Sequence, residues 1–323
     1  FDGSNSAVMN PYIPTMNEDR HQKRSTFIAN AKLGITLAKG LTLNISGGYT
    51  SYNSRTTEFN NSESYKGYPR PNNSKNVNAS VADYLRNDWM NENVLTYKRK
   101  YNNKHNFDVM VGFTMQGTTT EKYGFETTNI PDEGLGLSGM DDGLPYATNV
   151  SLSENTLMSA LVRVNYNYKS RYMFTASFRA DGSSKFMDGH RWGYFPSGAF
   201  AWKIDQEPFM KDIEEVNELK LRLSAGVTGT QNIGNYNNKD LYGPNDFLGK
   251  PGIIPTTLGN NDLRWERTKQ FDIAVDYALL DYRLSGSIGW YYKNTNDLLW
   301  YIDFPTSLQP FSGMYKNVGR VQN

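Results

Sequence analysis

The chain has 323 residues, a net charge of +1 and no cysteine; 38% of it is hydrophobic and 14% aromatic, with 22 Tyr and 16 Phe. The balanced charge excludes a basic footprint for nucleic acid and a strong steering field, and the lack of thiols excludes disulfide staples and thiolate metal sites. Mean hydropathy is −0.65, and no run approaches the roughly 18 to 20 apolar residues that a spanning helix needs.

Phe1 to Asn10 has neither a basic start nor an apolar core, so it does not read as a signal peptide. That leaves a cytoplasmic chain or a processed or partial product. Period-two alternation, the mark of a strand with one apolar side, begins at Phe27. Phe27, Ala29, Ala31, Leu33, Ile35 and Leu37 share one face, against Asn30, Lys32, Gly34 and Thr36. Lys39-Gly40 turns the chain into Leu41, Leu43, Ile45 and Tyr49. Leu95 and Tyr97 lead to a turn at Asn102-Asn103-Lys104. Phe107, Val109, Val111, Phe113 and Met115 follow, alternating with Asp108, Met110, Thr114 and Gln116.

The clearest hairpin runs from Ser159 to Phe186, "SALVRVNYNYKSRYMFTASFRADGSSKF". Met158, Ala160, Val162, Val164, Tyr166 and Tyr168 lie on one face, and Lys169, Ser170 and Arg171 make the turn. Tyr172, Phe174, Ala176, Phe178 and Ala180 continue the same face. The opposite face carries Arg163, Asn165, Arg179 and Asp181. Trp192, Tyr194, Phe200, Trp202 and Ile204 form a further apolar face. Asp205 to Lys220 reads as a connection with a brief helix starting near Pro208. Leu219, Leu221, Leu223 and Val227 then alternate with Lys220, Arg222, Ser224 and Thr228. Phe271, Ile273, Val275, Tyr277 and Leu279 meet Tyr282, Leu284, Ile288, Trp290 and Tyr292 across a turn at Leu280-Asp281. This amounts to about ten strands, with an eleventh starting near Tyr315.

Connections alternate in length. Tight turns lie near Lys39, Asn103, Ser170 and Asp281, and long polar stretches lie at Arg55 to Asn87, Thr118 to Glu154 and Gly229 to Leu263. Long loops on one side and tight turns on the other are the pattern of an all-β, transmembrane, antiparallel up-and-down β-barrel. A strand rising about 3.3 Å per residue and tilted about 40° needs roughly ten residues to cross an apolar band about 25 Å tall. The alternating stretches are about that long. Tyr166, Tyr168 and Tyr172, and later Tyr277, Tyr282, Trp290 and Tyr292, would sit at headgroup level, one end apolar and one end wet. Arg163, Asn165, Arg179, Asp181 and Arg222 would face the lumen. A soluble β-sandwich alternates in the same way, but with shorter strands and fewer large rings beside its turns.

Several motifs add a resemblance. "RVNYNYKSRYMFTASFRADGSSKF", "YFPSGAFAWKIDQEPFMK", "LKLRLSAGVTGTQNIGNY", "LRWERTKQFDIAVDY", "RLSGSIGWYYKNTNDLL" and "KNVGRVQN" stand in this order. The chain resembles the SusC/RagA-type TonB-dependent transporters of the Bacteroidetes outer membrane, specifically so from about Trp89 onward, with Val162 where many members have Gly. The resemblance implies the middle of a roughly 22-stranded barrel, about half of it, with residues 1–323 all barrel. It also implies that the plug and the C-terminal strands are not in this chain. It further implies energy-coupled import across the Gram-negative outer membrane, with a SusD-like surface lipoprotein as lid, TonB acting through the plug, and an oligosaccharide or peptide as substrate. A passive porin or a soluble carbohydrate-binding β-domain is the alternative.

No catalytic chemistry is legible, and no cofactor is expected. "GLGLSG" at Gly134, Gly136 and Gly139 lacks a βαβ context and reads as a loop. His21, His105 and His190 are scattered. Asp132, Glu133, Asp141 and Asp142 share a loop in which calcium is conceivable, although the spacing is not that of an EF-hand. Tyr65, Tyr68, Tyr146 and Tyr242 lie in the long loops, where rings can stack on sugars.

Overall fold

A computed structural model describes residues 12–69, 73–305 and 311–323. Phe1 to Asn10, read above as lacking signal-peptide features, lies outside the described residues. A short helix, Tyr12–Asn17, precedes the first strand. The first eight strands are β1 (Glu18–Ala38), β2 (Leu41–Asn60), β3 (Asn78–Tyr101), β4 (His105–Thr128), β5 (Leu144–Tyr168), β6 (Tyr172–Ser183), β7 (Trp192–Lys203) and β8 (Val216–Thr230). They are followed by β9 (Leu241–Phe247), β10 (Lys250–Thr257), β11 (Glu266–Leu279), β12 (Leu284–Asn296), β13 (Leu299–Asp303), β14 (Gly313–Asn317) and β15 (Arg320–Gln322). Eleven of these form one sheet in the order β1-β2-β3-β4-β5-β6-β7-β8-β11-β12-β15, while β9-β10 and β13-β14 are separate two-stranded sheets. Each strand of the large sheet pairs with its predecessor in that order, the meander of an up-and-down barrel wall.

Alternation sets the strands, and backbone geometry sets the turns. Asn102 and Asn103 have φ of 47° and 52°, and Lys169 and Ser170 have 50° and 60°. Paired positive φ values give the turn a twist that matches right-handed strands. Gly40, at φ +80°, is required for a second reason. A Cβ there would lie 2.2 Å from the Lys98 carbonyl oxygen, in the strand whose Lys98 amide donates to Gly40 O at 2.7 Å.

The chain forms two compact units. One comprises Phe1–Ala29, Gly48–Trp89 and Thr118–Glu154; the other comprises Asn30–Gly47, Met90–Gly117 and Asn155–Asn323. The first has a small core of Phe59, Ala79 and Ile130, joined by Val77, Leu137 and Met140. The second has Phe186, Phe195, Ile233, Leu263 and Trp265, with Leu157, Val227, Leu299 and Tyr315 against them. Phe186 and Phe195 contact Trp265 at centroid distances of 5.5 and 5.4 Å, and the Trp265 indole donates to Arg191 O at 2.8 Å. Both cores gather residues from the long connections.

Several expectations need correcting. β1 to β5 run 20 to 25 residues rather than about ten. The long connections shrink accordingly, and Tyr146 falls inside β5. The connection after β8 is not a plain loop, because it carries the β9-β10 hairpin, with Tyr242 in β9. Tyr315 belongs to β14, paired with β13; the eleventh strand of the large sheet is β15, which starts at Arg320 and pairs with β12. Tyr282 is not on a strand, because Leu280, Asp281 and Tyr282 all have positive φ and the turn extends to Arg283. Ile204 leaves the strand face to start a 3-10 turn, Ile204–Gln206. The brief helix expected near Pro208 is present, as the single 3-10 turn Pro208–Met210.

Candidate functional site

The apolar face of the sheet is organised in rows that follow the strand register. One row is Tyr168, Tyr172 and Trp202, opposite one another across β5, β6 and β7. The next is Tyr166, Phe174 and Phe200, continued by Leu223, Ile273 and Trp290. After that come Val164, Ala176, Gly198, Ala225, Phe271 and Tyr292. The rings touch sideways. Tyr168–Tyr172 and Tyr172–Trp202 each stack at 6.2 Å, Phe107–Tyr166 at 4.8 Å, and Phe174 and Phe200 lie 4.7 Å apart.

Outward, these rings are open. Phe174 and Phe178 are 47% and 48% exposed, and Trp290 is 59% exposed. In a sandwich core such rings would be covered by a facing sheet. Among the described residues the only other sheets are two-stranded. An open apolar surface of this extent is far beyond what a monomer leaves in water, so hydrocarbon must cover it.

At the turn side the row is fastened by Glu207. Its Oε1 accepts from the Tyr172 hydroxyl at 2.6 Å and from the Trp202 indole N–H at 3.1 Å, and its Oε2 lies 3.3 Å from Arg171 Nη1. The Tyr172 hydroxyl, then the Trp202 indole, and with them the Arg171 and Lys169 charges, hold the Glu207 carboxyl below the usual carboxylate range. Such a group needs water on one side and rings on the other, as at a membrane border. Glu207 lies in the EPFMK segment, on a connection where strand alternation assigns no side to a residue. His105 was missed as a belt residue. Its Nδ1 is 2.8 Å from the Tyr166 hydroxyl, and its ring is 4.9 Å from that of Tyr168. Period-two counting back from Phe107 would have found it.

The opposite face is polar and internally paired. Arg179 forks onto Asp181 at 2.7 and 2.9 Å and reaches Ser159 Oγ at 3.2 Å. Arg222 forks onto Asp276 at 2.7 and 2.6 Å, and Ser287 donates to the same carboxylate at 2.8 Å. Asn165 Oδ1 accepts from Thr175 at 2.9 Å. Arg163 makes no ion pair among the described residues. Near the turns, a hollow of about 620 Å³ is lined by Lys98, Asn106, Asp108, Asn165, Asn167 and Thr175 among others. Asn167 Oδ1 is buried there without a hydrogen-bond partner among the described residues.

At the opposite ends of the strands, Tyr65 and Tyr68 are each 42% exposed in the β2–β3 connection. Lys75 Nζ lies over the Tyr146 ring at 4.7 Å in the same unit. Tyr242, 66% exposed, belongs to the other unit. The interface candidates Tyr277 and Tyr282 lie at the β11–β12 turn end, and Trp290 and Tyr292 lie further along β12. Among the described residues no three His, Asp or Glu side chains converge as a metal site. Two of the four loop carboxylates are engaged with backbone, Asp132 accepting from Gly134 N and Glu133 from Ser62 N, each at 2.9 Å.

Comparison with known proteins gives a consistent answer. The family model of the TonB-dependent receptor-like β-barrel matches residues 2–323. TonB-dependent receptor P39 of Formosa agariphila is 34% identical over 293 residues, covering 90% of this chain and 28% of that protein. SusC of Bacteroides thetaiotaomicron is 33% identical over 273 residues, 79% of this chain and 26% of its own. Among solved structures, that of the RagAB peptide transporter superposes with a TM-score of 0.85 at 25% identity, over 100% of this chain and 35% of the other. The chain therefore spans about a third or less of the length of these relatives.

Proposed function

The chain belongs to the TonB-dependent receptor β-barrel family, whose members lie in the Gram-negative outer membrane. On that footing we propose that it forms part of the barrel wall of a nutrient importer driven through TonB. The observation that carries this is the division of the sheet into an open, ring-rowed apolar face and a paired polar face. The apolar face meets lipid, and the polar face lines the path that a plug closes. The rest of a longer polypeptide supplies the plug and the remaining strands. Partnerless Asn167 Oδ1, in its hollow near the turns, is a place where such a plug would dock.

A SusD-like lipoprotein on the outer side completes the importer, a reading supported by the relatives SusC and RagAB. The likeness to the RagAB peptide transporter favours a peptide cargo, with an oligosaccharide as the alternative. The half-exposed Tyr65, Tyr68, Tyr146 and Tyr242 are the candidate contacts.

The test is uptake by cells carrying the full-length protein, on peptide mixtures and on oligosaccharides in turn. Uptake should stop when TonB is deleted or the proton gradient is dissipated. Uptake that continues in both conditions would mean passive diffusion and would overturn the proposal.

A further inference from the structure

The apolar face has a gap in its rings. In one register row, three adjacent strands present only Ala176, Gly198 and Ala225, where the next row has Phe174, Phe200 and Leu223. The result is a hollow of about 470 Å³, floored by the small residues and walled by Phe174, Phe200 and Phe271. Its lining is apolar, and it opens on the face that meets hydrocarbon. Four residues along β6, roughly 13 Å, separate Ala176 from Tyr172 in the ring belt.

Beyond the belt, the charge is one-sided. The adjacent turns of β3–β4 and β5–β6 are joined by the Lys169 amide donating to Lys104 O at 2.6 Å. Together they bring in Lys98, Arg99, Lys100, Lys104, Lys169 and Arg171. Asp108 answers Lys98 and Glu207 answers Arg171. The other four cations make no ion pair among the described residues. Lys169 Nζ sits 5.2 Å from the centre of the Tyr168 ring, on the lipid side of the turn. An apolar slot, a ring belt and an excess of cations over carboxylates therefore follow one another along the strands, in the order of a lipid's tail, glycerol region and anionic head.

We infer that this face holds one anionic phospholipid of the inner leaflet, its phosphate between Lys104 and Lys169 and the far half of one acyl chain in the hollow. The inference rests on the barrel reading above, with the tight turns on the periplasmic side. An uncharged ridge of the same shape would take any acyl chain; the lysine pair is what selects an anionic head.

The test uses the full-length transporter, purified in mild detergent and examined by native mass spectrometry with added phosphatidylglycerol or phosphatidylethanolamine. The unaltered protein should keep one phosphatidylglycerol per barrel that resists detergent washing. Ala225→Phe, which fills the hollow, should lower retention of both lipids several-fold. Lys104→Gln with Lys169→Gln should lower phosphatidylglycerol retention several-fold and leave phosphatidylethanolamine unchanged. Folding of each variant is read from its heat-modifiable gel mobility. If Ala225→Phe does not fold, the lysine pair decides alone, since both side chains are exposed. Equal retention by all forms would overturn the inference. So would loss of a dimer without loss of lipid in Ala225→Phe, which would put a second copy in the hollow. Retained lipopolysaccharide in place of phospholipid would overturn it too, and would mark the side assignment of the turns as the failing step.

Discussion

Val164→Arg is the sharpest test of which face meets lipid. Val164 lies opposite Ala176 on the apolar face, and Tyr168 of the ring belt is four residues further along β5. Four residues span roughly 13 Å along the strand. With the strand tilted about 40°, that is about 10 Å below the belt, close to the middle of an apolar band about 25 Å tall. An arginine at that depth costs about 2–4 kcal/mol, against about 0–1 near an interface. The neighbouring Asn165 points the other way, with Thr175 donating to it at 2.9 Å. Asn165→Arg should therefore cost only about 0.5 kcal/mol, the scale of an exposed substitution. Phe174→Arg, two residues nearer the belt, should fall between the two. The assay is urea-dependent folding of the full-length protein into liposomes, followed by tryptophan fluorescence. Val164→Arg should shift the folding equilibrium at least about 12-fold relative to Asn165→Arg, the ratio that the difference of about 1.5 kcal/mol implies. Equal penalties for the two would refute the assignment of the faces and, with it, the membrane reading.

Three further outcomes are expected. The Glu207 carboxyl titrates below its unfolded value, so its contribution to stability is complete above the unfolded carboxylate range and disappears as pH falls through the folded value; Glu207→Gln should weaken resistance to urea at neutral pH and flatten the loss on acidification, and an unchanged pH profile would deny the anchor. External proteinase K on intact cells should cut in the 61–77 and 129–143 connections and at the exposed β9–β10 tip around Leu248, 91% exposed, while sparing the Lys169–Arg171 turn; the reverse pattern would invert the topology. A double-mutant cycle of Arg222→Met and Asp276→Asn should give a coupling no larger than about 1 kcal/mol, because both groups are partly solvated; a much larger coupling would mean the pair is sealed from water in the complete protein.

How far the sequence reaches can be judged element by element. The Ser159 to Phe186 hairpin was readable because its two faces differ in solvent. Alternation then carries a signal at every position, and the turn at Lys169 to Arg171 follows from where it breaks. The outer halves of β1 to β5 were not readable. Glu18–Arg24 and Thr50–Asn60 continue as strand, but both of their faces are polar. Period two disappears when both faces are wet. For the same reason the β2–β3 and β4–β5 connections looked longer than they are. The β9–β10 hairpin hid behind three prolines, Pro244, Pro251 and Pro255, which demote a strand on sequence grounds. Glu207 escaped for a different reason. Parity on a strand says which side a residue faces, whereas Glu207 sits between two 3-10 turns, which carry its carboxylate back to Tyr172, 35 positions away.

The polar face bears on how cargo would be selected. Its charges are consumed within the wall: Arg179 by Asp181, Arg222 by Asp276, Arg86 by Asp88, Arg55 by Asp83. All four arginines reach both oxygens of their carboxylate, which holds the guanidinium beside the wall and leaves little donor capacity for a passing solute. A pore that sorts solutes by charge keeps rings of unpaired charge on its wall. Here four strand arginines are already answered, whereas Arg163, Lys122 and Lys293 make no ion pair among the described residues. Charge held in such pairs does little to sort solutes, and discrimination falls mainly to what closes over and within the wall. That is the division of labour an importer with a plug and a lid requires, and it differs from that of a diffusion pore. Giving the wall a field by Asp181→Asn and Asp276→Asn should therefore leave TonB-dependent uptake of the native cargo nearly intact. Leak of small anions should rise only if the plug is also removed. A leak that rises with the plug in place would place the selective barrier in the wall itself.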